Sequence, residues 1–308
     1  GLDVNNSTIT VSGNEVNIVE GNSGINAVYS TLNLTGNTII KGTANGMIVD
    51  GNVGGSEPNV TVNGNLILSS EGHALNLKNG ANMKVYGDQI FDNTILIEKN
   101  AKEEVTGNLI SNGIIEGDAV NLKQNAELTI GGNISVGATG TGLNVEDSKI
   151  IVNGQGNGQG FNDIISDTNA INASDSTIKL NAGEKGINTI ISGESFDEDG
   201  VHYTGIAVNA TNDDDNTDSR NGSTVDILGA ENNIGGAVNA AGAQTTVNLA
   251  GSLDAGGTAV TGANNWISSA AVIKNAGDLE SSYDEDMRKL NVVSALYAED
   301  GATINLSG

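Results

Sequence analysis

The chain repeats a phrase of about 23 residues, and this repetition constrains its fold more than any other feature. In residues 141–154, TGLNVEDSKIIVNG, two short runs of alternating apolar and polar residues flank a turn that contains Ser148. A period of two residues is typical of β-strands that bury one face. The phrase therefore predicts two short strands joined by a tight corner.

The same phrase recurs along the chain without gaps. Segments that begin at Leu2, Ile25, Leu143 and Ile171 align with one another, and each has a serine at its equivalent position: Ser7, Ser30, Ser148 and Ser176. A version one residue longer begins at Ala74, Ala119 and Ala295. A glycine, spaced by 20 to 28 residues, usually follows the second run: Gly13, Gly36, Gly64, Gly87, Gly107 and Gly132. Apolar residues follow that glycine, which predicts a third short strand.

Such a unit cannot bury its apolar face alone, but stacked repeats can pair each strand with its equivalent one repeat further on. We therefore predict an all-β solenoid, a parallel β-helix with three short strands per coil and about 12–13 coils. Residues 1–308 are predicted to form a single β-helix fragment of a longer chain, with regular coils at 2–180 and loop-decorated coils at 181–308.

Composition excludes several classes of partner. The formal net charge is −25, so the chain cannot neutralise phosphates, which argues against nucleic acid and anionic membranes. Cysteine is absent, which removes disulfides and thiolate metal ligands. No apolar run is long enough to span a bilayer, so this fragment is not expected to insert directly into a membrane.

The outward positions of the strands indicate whether a pair of catalytic carboxylates is present. Carboxylates stacked on adjacent coils would lie about 5 Å apart, which is about the separation in a retaining glycosidase. The middle residues of the first strands are Asp3, Asn26, Ile48, Asn76, Leu96, Asn121, Asn144, Asn172, Ala207 and Asn239. Those of the second strands are Thr10, Asn33, Thr61, Lys84, Glu104, Thr129, Ile151, Lys179, Asp226, Asn248 and Asn305. Neither column stacks two acids, so no strand-borne catalytic pair is predicted.

Asparagines form two further patterns. Those in the first-strand column predict a ladder of side-chain amides that supports the sheet, with a glycan-contacting stripe as the alternative. Those that follow the corner glycines, including Asn37, Asn65, Asn108 and Asn133, are predicted to bond local backbone in the turns.

Three insertions in the C-terminal half are the predicted places for contact with a partner, because insertions in repeat proteins often carry binding. Residues 192–204 hold one candidate cluster: Asp197, Glu198, Asp199, His202 and Tyr203. Residues 209–222 hold the other: Asp213, Asp214, Asp215, Asp218 and Arg220. The third insertion, 263–291, contains Trp266 and a candidate short helix at 281–290.

No catalytic, cofactor-binding or dedicated metal residues are predicted. The histidines are His73 and His202, and the sequence contains no Gly-x-Ser-x-Gly motif whose serine either could activate as a base. The aspartates of residues 213–218 do not follow the spacing of an EF-hand, so adventitious Ca²⁺ at the acidic loops is the only cation expected.

The repeats GLDVNNSTITVSGN, GINAVYSTLNLTGN and TGLNVEDSKIIVNG resemble those of autotransporter passenger domains, the secreted part of bacterial type V systems. The resemblance implies a right-handed β-helix displayed on the cell surface or secreted. It also implies anchoring in the Gram-negative outer membrane through a C-terminal barrel that this stretch does not include.

Three functional hypotheses follow from these observations. The first is a non-enzymatic adhesin that attaches to a glycan or a protein on host or bacterial surfaces, or associates with copies of itself. The second is a polysaccharide lyase or glycoside hydrolase, and the third is a structural spacer stalk.

Overall fold

The structure is a computed structural model that describes residues 1–19, 21–51, 59–154, 160–197, 200–212, 222–253, 256–269 and 295–308. Strands are the only regular elements within these ranges. No helix of these residues is long and apolar enough to cross a membrane.

Sheet A collects the first strand of each repeat into eleven parallel strands that pair in chain order. Its strands are β1 (Leu2–Asn5), β3 (Ser23–Val28), β5 (Asn45–Asp50), β8 (His73–Lys78), β11 (Ile95–Glu98), β14 (Val120–Lys123), β17 (Leu143–Glu146), β20 (Asn169–Ser174), β24 (Ile206–Thr211), β26 (Ala237–Ala241) and β31 (Leu296–Glu299).

Sheet B contains the remaining strands of the repeats, 17 in all, and its pairings are also parallel. Its first strands are β2 (Thr8–Ile18), β4 (Thr31–Lys41), β6 (Asn59–Asn63), β7 (Leu66–Ser69), β9 (Asn82–Val85), β10 (Gln89–Phe91), β12 (Lys102–Val105), β13 (Leu109–Ile115), β15 (Glu127–Ile130) and β16 (Ile134–Ala138). The others are β18 (Lys149–Val152), β19 (Phe161–Ser166), β21 (Thr177–Ser192), β25 (Thr224–Gly235), β27 (Thr246–Ala250), β30 (Asn264–Ser268) and β32 (Thr303–Leu306).

Two small antiparallel hairpins complete the described strands. One pairs β22 (Glu194–Asp197) with β23 (Gly200–Tyr203), and the other pairs β28 (Ser252–Leu253) with β29 (Ala259–Thr261). The first hairpin lies in the predicted insertion at 192–204, whereas the second lies outside all three predicted insertions.

Equivalent residues of successive repeats pair as the sequence predicts. Leu2 pairs with Ile25 in sheet A, and Leu143 pairs with Ile171. In sheet B the outward column predicted from Thr10 to Asn305 is present at every step. Inward aliphatic residues of both sheets, such as Ile25, Leu75 and Leu32, are fully buried in one continuous core.

The predicted fold class is nevertheless wrong. The described strands do not divide into three sheets, as a right-handed parallel β-helix with three short strands per coil would require. Apart from the two hairpins, they form two sheets, and sheet A has eleven strands where about 12–13 coils were predicted. Twelve strands of sheet B close into a ring of parallel pairings. β4 pairs with both β6 and β7, and β21 pairs with both β18 and β19, so two series of strands connect β4 with β21.

The physical reason for this difference lies at the corner that follows the second run. In β2 and β4 the chain passes this corner without leaving the sheet, and the pairing only shifts its register between Ser12 and Glu15. Such a shift is a β-bulge, which bends a strand without ending it. Two short predicted strands therefore become one strand of 11 residues in both β2 and β4.

The asparagines after the corner glycines have the predicted structural role, but their partners are not local. The Asp88 backbone N–H donates to the Asn65 side-chain oxygen (2.9 Å), and the Asn133 N–H donates to that of Asn108 (2.9 Å). Each donor belongs to the next repeat, so these side chains join repeats together instead of closing their own turns.

The amide ladder predicted for the first-strand column of sheet A is present only from Asn144 onward, because the side-chain oxygens of Asn76 and Asn121 accept no hydrogen bond from the described residues. Asn172 donates to Asn144 (2.9 Å), Asn209 to Asn172 (2.8 Å), and Asn239 to Asn209 (2.7 Å). The prediction that Ala207 belongs to this column is wrong, because Asn172 pairs with Asn209. The insertion that we place at 209–222 therefore begins later than predicted, since β24 continues to Thr211.

Candidate contact surface

A hairpin projects from sheet B between β21 and β24, within the predicted insertion at residues 192–204. Its two strands, β22 and β23, are antiparallel and place Phe196 opposite Val201. At its base the Thr204 N–H donates a hydrogen bond to the Gly193 carbonyl oxygen (3.0 Å). The insertion is therefore built on a paired-strand base.

One face of this hairpin is largely apolar. Successive side chains of a strand point to opposite faces, so Phe196, Val201 and Tyr203 lie on the same face together with Glu194. Phe196 is 73% exposed and Val201 is 46% exposed. Large apolar side chains this exposed on neighbouring strands are a recognised mark of an interaction site.

Tyr203 anchors the hairpin face against sheet B. A Cβ atom added to Gly235 would lie 2.8 Å from two carbons of the Tyr203 ring, so only glycine leaves room for the ring there. The ring also meets Trp266 edge-on, with centroids 6.0 Å apart and planes at 85°. This T-shaped geometry is favourable for aromatic pairs, and Trp266 stays 50% exposed.

The outward face of sheet B extends this apolar area. Ile191 pairs with Ile165 on one side and with Gly235 on the other, so an apolar column runs from Ile165 to the Tyr203 ring. Phe161, in the same strand as Ile165, is 58% exposed. We call the following six residues the contact surface: Phe161, Ile165, Phe196, Val201, Tyr203 and Trp266.

Asp163 lies between Phe161 and Ile165 on the outward side of β19. Partial burial raises the pKa of its carboxyl group. Its Oδ1 atom is buried and accepts no hydrogen bond within the described part of the chain. The carboxyl group is therefore poorly solvated, as expected beside large apolar side chains.

A buried amide ladder supports the strands of the contact surface from inside. Asn162 donates to Asn188 (2.9 Å), Asn188 donates to Asn232 (2.8 Å), and Asn232 donates to Asn265 (2.8 Å). Asn188 and Asn232 are fully buried. Asn265 is adjacent to Trp266, so the ladder links four repeats of sheet B and ends beside the tryptophan.

Replacing Asn188 with alanine is expected to lower the free energy of unfolding by roughly 1–3 kcal/mol, because the buried Asn162 and Asn232 amides each lose a partner. Asn17→Ala is the matched control, since its exposed side chain bonds only Glu15 and its loss should cost less than about 0.5 kcal/mol. Chemical denaturation measures both, and equal losses would contradict the supporting role of the ladder.

Two adjoining clefts lie beside Trp266. The larger has a volume of about 630 Å³ and is lined by Glu231, Asn233, Ala263, Asn264, Asn265, Trp266, Leu306 and Gly308. The smaller has about 400 Å³ and is lined by Glu184, Ala230, Gly251, Thr261, Gly262, Ala263, Asn264 and Gly308. Three lining residues are common to both clefts, and one of them is Gly308, so the clefts adjoin at the end of the strand stack, where the sequence stops.

The structure separates the predicted contact residues. His202 and Tyr203 lie in β23, and only Tyr203 is on the apolar face. Asp197 ends β22, and its side chain lies outside the described residues, as do Glu198 and Asp199. The second predicted cluster also lies outside the described residues: Asp213, Asp214, Asp215, Asp218 and Arg220. So does the candidate helix at 281–290.

The residues with described side chains contain no assembled metal site. No group of three or more histidine, aspartate or glutamate side chains is placed to hold an ion within those ranges. The outward column of the second strands places Glu104 beside Lys84, with an ion-pair distance of 2.7 Å. The acidic segment suggested for adventitious Ca²⁺ is outside the described residues.

Sequence reasoning missed Phe196, Val201 and Gly235. The sequence does contain a signal for the hairpin, because the pair Asp199-Gly200 stands between short alternating runs at 194–197 and 201–203. Nothing local marks Gly235, since its role depends on a tyrosine more than thirty residues earlier in the chain.

A comparison of the chain with protein-family models, with curated proteins and with solved structures finds no match. The proposed function therefore depends on the geometry of the contact surface.

Proposed function

We propose that this chain is part of a non-enzymatic bacterial cell-surface adhesin and that the contact surface makes the attachment. The observation that carries the proposal is the grouping of exposed apolar side chains: Phe161, Ile165, Phe196, Val201 and Trp266 are between 38% and 73% exposed. Exposed apolar groups that cluster in this way favour a binding role, because scattered ones need no partner.

The scaffold supports this role. Long parallel sheets with a continuous core hold the contact surface on a firm base, and amide ladders tie the repeats together. Binding residues placed on such a base lose little conformational entropy when a partner docks. The partner in this proposal is a protein or a glycan of a host or bacterial surface, or a second copy of the chain.

The resemblance of the repeats to autotransporter passengers supports the location. Display on the cell surface, secretion and anchoring in the outer membrane are all proposals that depend on this resemblance. The net charge of −25 fits a partner other than nucleic acid, since repulsion would oppose the approach of phosphates.

The double variant Phe196→Ser with Val201→Ser tests the contact surface. Both side chains are largely exposed, so stability should change little, while attachment of beads coated with the chain to cells should fall about tenfold. The matched control is Tyr86→Ser with Val19→Ser, which removes an aromatic and an aliphatic side chain of similar exposure (51% and 49%) from earlier repeats, outside the contact surface.

Equal attachment by both double variants would oppose the adhesin proposal and favour a spacer stalk. Saccharide products released with turnover during incubation with polysaccharides would instead favour the lyase or hydrolase alternative. Unfolding curves of each variant are needed so that a loss of attachment is not a loss of folding.

A further inference from the structure

An apolar column crosses the outward face of sheet B and enlarges the contact surface. Ile114 pairs with Gly137, Gly137 pairs with Ile165, and Ile165 pairs with Ile191. On the next strand, β25, the column ends at the Tyr203 ring. At about 4.8 Å per strand, it is about 19 Å long. The strands from β13 to β25 are all paired on both sides, so the exposure of the column does not depend on where the strand stack ends.

Gly137 makes a notch in this column. The isoleucines on either side of it, Ile114 and Ile165, are 74% and 38% exposed and lie two strands apart, at about 10 Å. A Cβ atom added to Gly137 would lie 3.5 Å from its nearest neighbours, which are atoms of Gly113 and Ile114, so the notch is open. A recess between two aliphatic side chains can receive one apolar side chain of a partner.

Carboxylate groups border the apolar column. Glu116 and Asp167 come directly after the strands of Ile114 and Ile165, and both are exposed. Asp163 lies on the other side of Ile165, on the same outward face. None of these three carboxylates forms an ion pair with a described residue.

Positive side chains do not balance this border. The strands β13, β16, β19, β22 and β23 contain no lysine or arginine. In β21, Lys179 pairs with Asp226 and Lys185 is adjacent to Glu184. Glu194 adds another exposed carboxylate on the hairpin. The border is therefore negative, in a chain with a net charge of −25.

An apolar centre with a charged border is the usual composition of a protein–protein interface. The charge of the border selects the partner, because complementary charges speed association and like charges oppose it. Carboxylates at this border favour lysine and arginine on the facing surface. A second copy of the chain would present the same negative border and would be repelled.

We propose that the partner of the contact surface is a protein surface on which apolar side chains are bordered by lysine or arginine, with one apolar side chain inserted at the Gly137 notch. This inference rests on the proposed adhesin function. It selects a basic protein surface over a glycan and over a second copy of the chain.

Synthetic peptides test the chemistry of the partner. The probe, called the lysine peptide, has about nine residues, with leucine and valine at its centre and two lysines at each end, and its extended length exceeds the column. Calorimetry should show saturable binding that weakens several-fold between about 0.05 and 0.5 M salt. Glutamate in place of lysine should abolish binding, and serine in place of the apolar residues should weaken it at least about tenfold. Equal binding of the apolar and serine versions would overturn the proposal, because ionic attraction alone would explain it.

Charge reversal locates the border. Glu116→Lys with Asp167→Lys should lower the affinity for the lysine peptide at least about tenfold. Glu71→Lys with Glu146→Lys is the matched control, since both side chains are exposed and the net charge changes equally. The control should lower the affinity less than about twofold. Equal losses would mean that only the net charge matters, which contradicts a border at the contact surface.

Gly137→Val fills the notch while it adds apolar area. The φ angle of Gly137 lies outside the left-handed region and valine suits a strand, so the variant should fold, as unfolding curves will check. Affinity for the lysine peptide should fall at least about fivefold, because the notch can no longer receive a side chain. Unchanged or tighter binding would show that the partner does not insert there.

The other partners and the two proposals give different outcomes. Binding of neutral oligosaccharides in place of the lysine peptide, or self-association that strengthens with salt in sedimentation, would overturn the basic partner. If attachment to cells depends on Phe196 and Val201 while the lysine peptide does not bind, the basic partner is wrong and the adhesin proposal stands. If the peptide binds as expected while attachment is independent of Phe196 and Val201, the adhesin proposal is wrong and the partner assignment stands.

Discussion

Glu103→Gln is expected to raise the free energy of unfolding at pH 8 by about 3 kcal/mol, and to change it little at pH 4.5. The Glu103 side chain points into the core, where it is 2% exposed and lies in register between Met83 and Leu128. Burial raises the pKa of its carboxyl group from 4.5 to about 7, and a pKa unit corresponds to about 1.4 kcal/mol.

The surroundings of Glu103 explain why burial dominates. Gln89 is the nearby polar side chain and opposes the rise in the Glu103 pKa, yet neither side chain makes a hydrogen bond of good geometry to a described residue. The neighbours Lys102 and Glu104 are on the outward side of the strand, where Lys84 pairs with Glu104 at 2.7 Å. None of the described residues therefore places a cation inside the core to stabilise a Glu103 carboxylate.

The sign of the pH dependence follows from the raised pKa. Between about pH 4.5 and pH 7 the folded chain keeps a proton on Glu103 that the unfolded chain has released. Stability from this group is therefore fully present below pH 4.5 and is lost as the pH rises towards 7. Glutamine has no such proton to lose, so the difference between the two proteins grows over this range.

Urea denaturation at several pH values from 4.5 to 8 measures this difference. Glu104→Gln is the matched control, because its side chain is 47% exposed and its ion pair with Lys84 should contribute less than about 1 kcal/mol. A Glu103→Gln variant that is no more stable than the natural chain at pH 8 would show that Glu103 is not held in an apolar core.

Gly36→Ala is expected to destabilise the chain by roughly 2–5 kcal/mol, the sum of a strained backbone and an overpacked corner. The φ angle of Gly36 is +117°, a region that side chains rarely adopt, and an added Cβ would overlap the carbonyl oxygen of Gly13 in the preceding repeat. The stacked corners of adjacent repeats would therefore be forced apart.

The Gly113→Ala variant separates the cost of backbone strain from the cost of overpacking. Its φ angle of +101° is similarly unfavourable, but an added Cβ would meet nothing within 4 Å. We expect a loss of about 1–2 kcal/mol from backbone strain alone. Equal losses in the two variants, measured by thermal and chemical unfolding, would mean that the corners of β2 and β4 are not in close contact.

The repeat predicted much of the fold because the place of a strand residue in a sheet depends on two things: the face on which its side chain lies and the residue with which it pairs. The alternation of apolar and polar residues predicts the face, and the repeat length predicts the pairing residue. The outward column from Thr10 to Asn305 was therefore predicted correctly at every position. The one register error in the first-strand column, Ala207 in place of Asn209, occurred where the spacing of the repeats becomes irregular.

The candidate site was harder to predict because it joins residues that no repeat relates. Tyr203 was predicted as a contact residue and lies in the contact surface, whereas its neighbour His202 is on the opposite face of the hairpin. The packing of Tyr203 on Gly235 and Trp266 depends on where a hairpin base leaves the sheet, and alternation within one strand does not contain that information.

The sequence by itself determined the strands, their parallel pairing from repeat to repeat, and the side chains that fill the core, because these depend on short-range alternation and a regular spacing. The tertiary structure decided the number of sheets, the ring of strands in sheet B and the position of the aromatic surface. These depend on whether a glycine corner bends a strand or ends it, and on contacts between segments far apart in the chain. Such contacts are set by packing in three dimensions, which a repeat in one dimension does not specify.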